Sequence, residues 1–499
     1  MSEKRYFKLT ASLQGSEKFY LWLFDEIVKQ KDYDENKIME HSGRKKNTAW
    51  FSMAKKRLYN LLLKSMENYH AAALPEVKSH LHRAYFLYGK ELYEQCRKVL
   101  DKAKKIAKEN DLHWALLEIY RHAEMDLALK KFDPQWIEKI MEEELEEISL
   151  IQNTKIYRDL YYRLGVYYYR YGIARDKKHF AEIEKIIRNK YLKDESLAKT
   201  YEAKLKFYDT HALYAQIKGN ATDACRHFTS SLRHMEEHPQ KIKANLFYYI
   251  TCLSNVLVAC SNSNQYDKVS FFIGKLEKLN FIVTSQQIRP RFFWVLYYHK
   301  LNYLNSMGWF DKSNQTLKTV LSELPLYEER LNDFEKVNLF GHIAISFFGT
   351  GNFHQCISWL NRIRDEIHFA IRQDFENFLR LFYILAHYEA GHIDILPSLI
   401  LSFYRFLHKK EQIYKFETIL IYFFRNELPK INTQKELIPV FQKLKNELLP
   451  LEKDEYEKNA FEYFDYISWL ESKIENKTFA EVVRRKIADT DGQKDLARS

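Results

Sequence analysis

A packing pattern that returns at near-constant spacing constrains this chain more than any other feature. A small or medium residue is followed three positions later by another packing residue. Nine positions further comes a second small one, and apolar or small residues follow four and three places beyond. Ala84, Leu87, Cys96, Leu100 and Ala103 carry it, as do Ala212, Ala215, Ala224, Phe228 and Ser231. Three further copies are Leu257, Cys260, Val269, Ile273 and Leu276; Leu301, Leu304, Ser313, Leu317 and Val320; and Ala344, Phe347, Cys356, Leu360 and Ile363. The anchors Ala224, Val269, Ser313 and Cys356 lie 45, 44 and 43 residues apart, and Cys96 precedes Ala224 by 128, three such periods. Two less regular helix pairs are therefore expected at 112–149 and 156–192, and one more at 374–408 with Gly391 at its turn.

The physical reason for such a repeat is that one helix pair cannot bury both of its apolar stripes and must stack on the next. Three-and-four spacing gathers the packing residues on one helix face. Small residues let the second helix of a pair approach closely, and large ones fill the grooves. Composition agrees with long helices and short connections. The 499 residues include only 13 glycines and 9 prolines, where average usage gives roughly 35 and 25. The predicted fold is all-α: a right-handed α-solenoid of about eight hairpins over 71–429, a helical module at 1–70, closing helices at 430–487 and a polar, disordered tail at 488–499.

Within this array Leu164-Gly165-Val166-Tyr167-Tyr168 resembles the first-helix signature of tetratricopeptide-repeat (TPR) proteins, Leu-Gly-x-x-Tyr. The resemblance covers roughly 76–410. The period near 44 exceeds the usual 34 of that family, and the proline expected at the end of each unit is mostly missing, so a HEAT-like or lengthened repeat is the alternative. SEKRYFKL (2–9), YLWLFDEI (20–27), RLYNLLLKSMENYH (57–70), SFYRFLHKK (402–410) and YFDYISWLESKI (463–474) look like an uncharacterised family of bacterial TPR-containing proteins. That second resemblance implies architecture and no activity. The TPR resemblance implies a concave groove lined by the first helix of each hairpin.

Register in that groove selects the residues one and four places beyond each small packing residue. These are Tyr85 and Tyr88, Val166 and Tyr169, Leu213 and Gln216, and Asn302 and Asn305. Tyrosine supplies rigid amphipathic contact area, and amides can hold an extended peptide's backbone. The predicted function is a non-catalytic scaffold with a protein or peptide in its groove. In the stretch YYRLGVYYYRYG (161–172), Leu164, Gly165 and Tyr168 are expected at inter-helix packing positions and Gly172 near the turn.

The alternative is a transcriptional regulator whose N-terminal module binds DNA. A helix near 16–31, a short helix closed by Gly43 and a long helix over about 47–70 are compatible with a helix-turn-helix. The stretch 41–66 holds Arg44, Lys45, Lys46, Lys55, Lys56, Arg57 and Lys64 and no acidic residue, a pattern suited to phosphates. The competing reading is a solvated basic face on a cap whose core stripe is Trp50, Ala54, Leu58 and Leu61. The net charge of +11 is modest for this length.

Chemistry-bearing motifs are absent. No phosphate-binding Gly-rich loop, dinucleotide fingerprint or His-Glu-x-x-His occurs, so the chain reads as no enzyme and no cofactor is expected. His234 and His238 stand four apart, a spacing that can hold a metal from a helix face. With no further ligand suggested nearby they read as a surface pair, and no metal is expected. The five scattered cysteines, without a Cys-x-x-Cys, read as free thiols in a reducing compartment. MEEELEEI (141–148) reads as an exposed acidic face. The start lacks an apolar signal segment, and the longest apolar stretches, such as 292–298, fall far short of the ~18 residues of a membrane span. A cytoplasmic location follows as the expectation, with no membrane association.

Overall fold

The structure, a computed structural model, describes residues 3–13, 18–30, 33–42, 48–69, 73–124, 133–173, 177–283, 285–366, 373–410, 414–431, 433–454 and 457–496. Among these residues every regular element is a helix, twenty-four of them α-helices. The protein is all-α, and consecutive helices pack on one another as a helical repeat requires. No helix among the described residues is long and apolar enough to cross a membrane. The chain forms two compact units, Met1–Gln152 and Asn153–Ser499.

The first unit opens with α1 (Glu3–Leu13), α2 (Lys18–Lys29), α3 (Glu35–His41) and α4 (Thr48–Tyr69). Asp34 caps α3 by accepting from the backbone N–H groups of Asn36 and Lys37, as an N-terminal carboxylate should. Phe51, Ala54 and Leu58 of α4 close a core with Phe7, Leu23, Phe24 and Ile38. The expected stripe is therefore present with Phe51 fully buried, while Trp50 and Leu61 are only partly covered. Gly43 lies outside the described residues. Next come α5 (Ala73–Gly89), α6 (Tyr93–Glu109) and α7 (His113–Glu124). Ala84, Cys96, Leu100 and Ala103 are buried between α5 and α6, and the Cys96 thiol donates to the Ala84 carbonyl at 3.3 Å.

The two irregular pairs expected at 112–149 and 156–192 are not separate hairpins. A single 38-residue helix, α8 (Pro134–Tyr171), runs through both and is followed by α9 (Lys177–Ile187). Nothing in MEEELEEISLIQNTKIYRDL breaks a helix, because it contains neither glycine nor proline. The acidic run on α8 is also not uniformly exposed. Glu147 is buried against His113, with Oε2 2.7 Å from Nδ1, and Glu143 pairs with Lys104 at 2.5 Å.

The second unit continues through α10 (Tyr201–Ile217), α11 (Ala221–Glu236), α12 (Pro239–Ala244), α13 (Leu246–Asn262), α14 (Tyr266–Leu279), α15 (Arg289–Ser306) and α16 (Phe310–Tyr327). It then adds α17 (Asp333–Gly349), α18 (Phe353–Glu366), α19 (Gln373–Glu389), α20 (Leu396–Lys409) and α21 (Lys415–Tyr422). The anchors Ala224, Val269, Ser313 and Cys356 are all at most 2% exposed, so the periodic positions are where neighbouring helices meet. The turn glycines Gly219, Gly308, Gly351 and Gly391 all have φ between 67° and 77°, a conformation that glycine adopts without penalty. Close approach is sharpest at Gly349, where an added Cβ would lie 2.1 Å from the Phe310 ring.

Closing the unit are α22 (Gln434–Leu448), α23 (Tyr466–Glu475) and α24 (Phe479–Leu496). Trp469 is 1% exposed and donates its indole N–H to Glu389 Oε1 at 2.7 Å. Of the segment expected as a disordered tail, 488–496 is helical as the end of α24, Gly492 notwithstanding. Cysteine usage also differs from expectation. Cys225 of α11 and Cys260 of α13 are joined in a disulfide with their Cα atoms 4.9 Å apart, while Cys96, Cys252 and Cys356 are free and buried. Both bonded cysteines sit where small side chains bring α11 and α13 together, and that proximity is invisible in their 35-residue separation.

Candidate functional site

The tyrosine-rich end of α8 sorts its side chains by helical face. Tyr157, Leu160, Leu164 and Tyr167 form the inward stripe, none more than 8% exposed. Tyr157 donates its hydroxyl to the Tyr191 carbonyl at 2.7 Å, which satisfies the one polar atom that burial would penalise. Tyr161 and Tyr168 are half-buried on the flanks. On the opposite face Tyr162, Val166 and Tyr169 follow one another at four- and three-residue steps and are 52%, 55% and 64% exposed. Arg163 and Arg170 are exposed beside them. The result is a narrow apolar ridge of about two turns, edged by positive charge.

Gly165 does not serve the packing role expected of it, since nothing lies within 4 Å of a Cβ built there. Leu164, at 0% exposed, fills its expected position. Gly172 does close the helix, with φ at 69° and its N–H donated to the Tyr168 carbonyl at 2.9 Å.

The residues selected by register divide sharply. Val166 and Tyr169 are on the ridge. Gln216 donates its amide to the Tyr168 hydroxyl at 2.9 Å, at the ridge's flank. Leu213 is 7% exposed and belongs to the core with Leu164 and Tyr167. Asn302 donates to the Ser261 hydroxyl at 3.1 Å. Asn305 is internal: it donates to the His342 carbonyl at 3.1 Å and accepts from the hydroxyls of Ser313 and Ser346 at 2.9 and 3.0 Å. Its expected groove-facing role is corrected, because an amide only 7% exposed among packed helices, with its oxygen accepting from two buried hydroxyls, is not presented to a ligand. In the first unit, Tyr85 is 65% exposed, whereas Tyr88 is half-buried against Tyr93 with ring centroids 5.5 Å apart.

Among the residues of the alternative nucleic-acid surface, Arg44, Lys45 and Lys46 lie outside the described residues. Lys55 is salt-bridged to Glu35, which raises its pKa through that carboxylate. Arg57 donates to the Tyr20 hydroxyl at 3.3 Å, and Lys56 is exposed.

Sequence reasoning missed a charged cluster inside the second unit. The Lys206 ammonium donates to Asp209 Oδ2 at 3.0 Å and to the Tyr248 hydroxyl at 2.9 Å, and Ser231 donates to Asp209 Oδ1 at 2.7 Å. The Tyr161 ring lies 4.3 Å from the ammonium. Burial alone would lower the Lys206 pKa, yet the Asp209 carboxylate reverses it and the pKa is raised. Burial pushes the nearby Cys252 thiol up to about 12. Lysine and aspartate three residues apart in the otherwise core-facing LKFYDTHAL were the available signal. Because the partners satisfy one another, this cluster fastens α10, α11 and α13 together.

The described residues also line two hollows. One, of about 160 Å³, is walled by Pro397, Ile400, Leu401, Tyr404, Phe424 and Arg425; a second, of about 20 Å³, holds the amides of Asn377 and Asn459. At the end of α11 the helix carries His234 towards Glu237 and His238, a third ligand-type residue that spacing alone did not suggest. Burial first, and then His238, hold the His234 imidazole below its ordinary pKa, opposed by the Tyr201 backbone and Glu237. No family model matches the chain, and neither a curated protein nor a solved structure matches it.

Proposed function

We propose that this protein is a non-catalytic, TPR-like scaffold that captures a partner protein through an acidic segment laid on the α8 ridge. The reading is supported above all by Tyr162, Val166 and Tyr169, three large side chains more than half exposed on one face. Leaving such groups in water forgoes burial worth roughly 1.5–3 kcal/mol for each large side chain, and tyrosine loses little conformational freedom when a ligand covers it. Arg163 and Arg170 give the ridge its charge preference, since guanidinium groups pair with carboxylates in a bidentate manner. A segment with apolar residues spaced to meet the ridge and carboxylates at its edges fits this chemistry. The partner is a soluble protein segment, and the ridge does no bond-making.

The test is photocrosslinking from p-benzoylphenylalanine placed at Val166, followed by affinity measurement on the captured segment at 50 and 300 mM salt. A defined segment whose binding falls at least tenfold in Tyr162→Ala with Tyr169→Ala supports the reading. Binding that persists in that double variant removes the ridge from the mechanism. Recovery of nucleic acid alone, lost on Lys55→Glu with Lys56→Glu, would instead favour the regulator.

A further inference from the structure

We propose that His234, Glu237 and His238 form a binding site for a single divalent transition-metal ion of the zinc class. The three residues bracket the end of α11, where the chain leaves the helix and turns into α12. Glu237 caps the C-terminal end of α11, its backbone N–H donated to the Arg233 carbonyl and that of His238 to the Met235 carbonyl, and Pro239 begins α12 immediately after His238. This turn brings one donor atom of each side chain within 4.8 Å of the other two.

The hydrogen bonding already selects which nitrogens can ligate. His238 Nδ1 lies 2.9 Å from the His234 backbone carbonyl. A carbonyl only accepts, so Nδ1 carries the proton and the lone pair of the neutral ring sits on Nε2. A backbone carbonyl that fixes the tautomer and orientation of a ligating imidazole is a common feature of protein metal sites. His234 presents Nδ1 3.7 Å from Glu237 Oε2, close to the separation of two donors bound to one ion at about 2.0–2.2 Å each. Its Nε2 is buried without a hydrogen-bond partner.

The surroundings limit motion. The Tyr201 ring packs on both imidazoles, with centroids 5.0 Å from His234 and 4.9 Å from His238. His234 has only 14% of its side chain exposed, whereas Glu237 has 61%. The histidines are thus set in place, and the carboxylate can swing onto an ion by changing its rotamer. Cations nearby oppose the site: Lys241 lies 5.4 Å from the Tyr201 ring and Lys204 acts on His234. The negative C-terminal end of α11 acts in favour. Two imidazoles and one carboxylate suit zinc, cobalt or nickel and do not suit calcium or magnesium, which prefer oxygen donors throughout.

The experiment uses untagged full-length protein, stripped of metal by chelator and titrated with Zn²⁺ by calorimetry and with Co²⁺ by visible absorption. The expected result is one saturable site per chain. The Co²⁺ bands should shift in Glu237→Gln, an exposed substitution that leaves the fold intact, and Zn²⁺ affinity should fall roughly tenfold or more in His238→Asn. His387→Asn, in the separate pair formed by His387 and His392 with their Nδ1 atoms 2.9 Å apart, should leave binding unchanged. Absence of a saturable site, or a site of equal affinity and identical Co²⁺ spectrum in Glu237→Gln and His238→Asn, would overturn the assignment.

Discussion

Lys206 and Asp209 face each other inside the second unit, with Nζ 3.0 Å from Oδ2 and both residues less than a tenth exposed. Their attraction is set against the cost of removing two charges from water. Replacing either partner alone leaves the other charge uncompensated, which costs about 3–5 kcal/mol. Lys206→Met and Asp209→Asn should therefore each lower the midpoint of urea unfolding strongly. The double variant Lys206→Met with Asp209→Asn should recover part of the loss, and a strictly additive double variant would refute the coupling.

The exposed ridge and the buried amide should respond in opposite ways. Tyr162→Ala and Tyr169→Ala remove groups that face water, so stability should change by no more than about 0.5 kcal/mol. Asn305→Ala removes the Oδ1 acceptor shared by the Ser313 and Ser346 hydroxyls and the bond to the His342 carbonyl, leaving the hydroxyls only each other and that carbonyl, and should cost about 1–3 kcal/mol. Thermal unfolding of the three variants side by side tests whether register or packing governs these positions.

Acid should weaken the protein before its carboxylates titrate. Burial holds the His299 imidazole at about 3 instead of its ordinary 6.5, and His299 is hydrogen-bonded to Ser254 at 2.8 Å. Between those values the unfolded chain binds a proton that the native ring refuses. The contribution is therefore complete above pH 6.5 and is lost as pH falls below it, by about 1.4 kcal/mol per unit. His342, held at about 4 by burial, adds to the same slope. Urea midpoints at pH 7.5 and pH 5 should differ less in His299→Gln than in the parent protein.

Reduction should also destabilise the second unit. The Cys225–Cys260 bond closes 35 residues, and a crosslink of that span contributes about 3–4 kcal/mol by restricting the unfolded chain. Peptide mapping without reductant should recover the linked pair, and Cys225→Ala with Cys260→Ala should melt at the temperature of the reduced parent.

At the α16–α17 packing, Gly349→Ala would drive a methyl group into the Phe310 ring, since the built Cβ lies 2.1 Å from it. A loss of about 1–3 kcal/mol is expected, and Gly349→Ala with Phe310→Leu should restore part of it. An unaffected single variant would show that the ring can turn aside.

The sequence by itself determined the all-helical character and the periodic core. Ala84, Cys96, Ala224, Val269, Ser313 and Cys356 are buried at the spacing they display, because a helix face repeats every three to four residues and each pair of helices must cover its neighbour. Tertiary structure decided what periodicity cannot encode. Asn302 and Asn305 share a chemistry and a register, yet Asn305 is enclosed by Ser313 and Ser346 because those helices meet over it. Cys225 and Cys260 read alike with the free cysteines until α11 and α13 set them side by side. Lys206 finds Asp209 one turn away, but only packing removes both from water and supplies Ser231 and Tyr248. Glu237 joins His234 and His238 through a turn at the end of α11 that straight helical spacing does not describe. Local pattern specifies which face of a helix is apolar. Only the approach of another helix determines which polar groups that face must also satisfy.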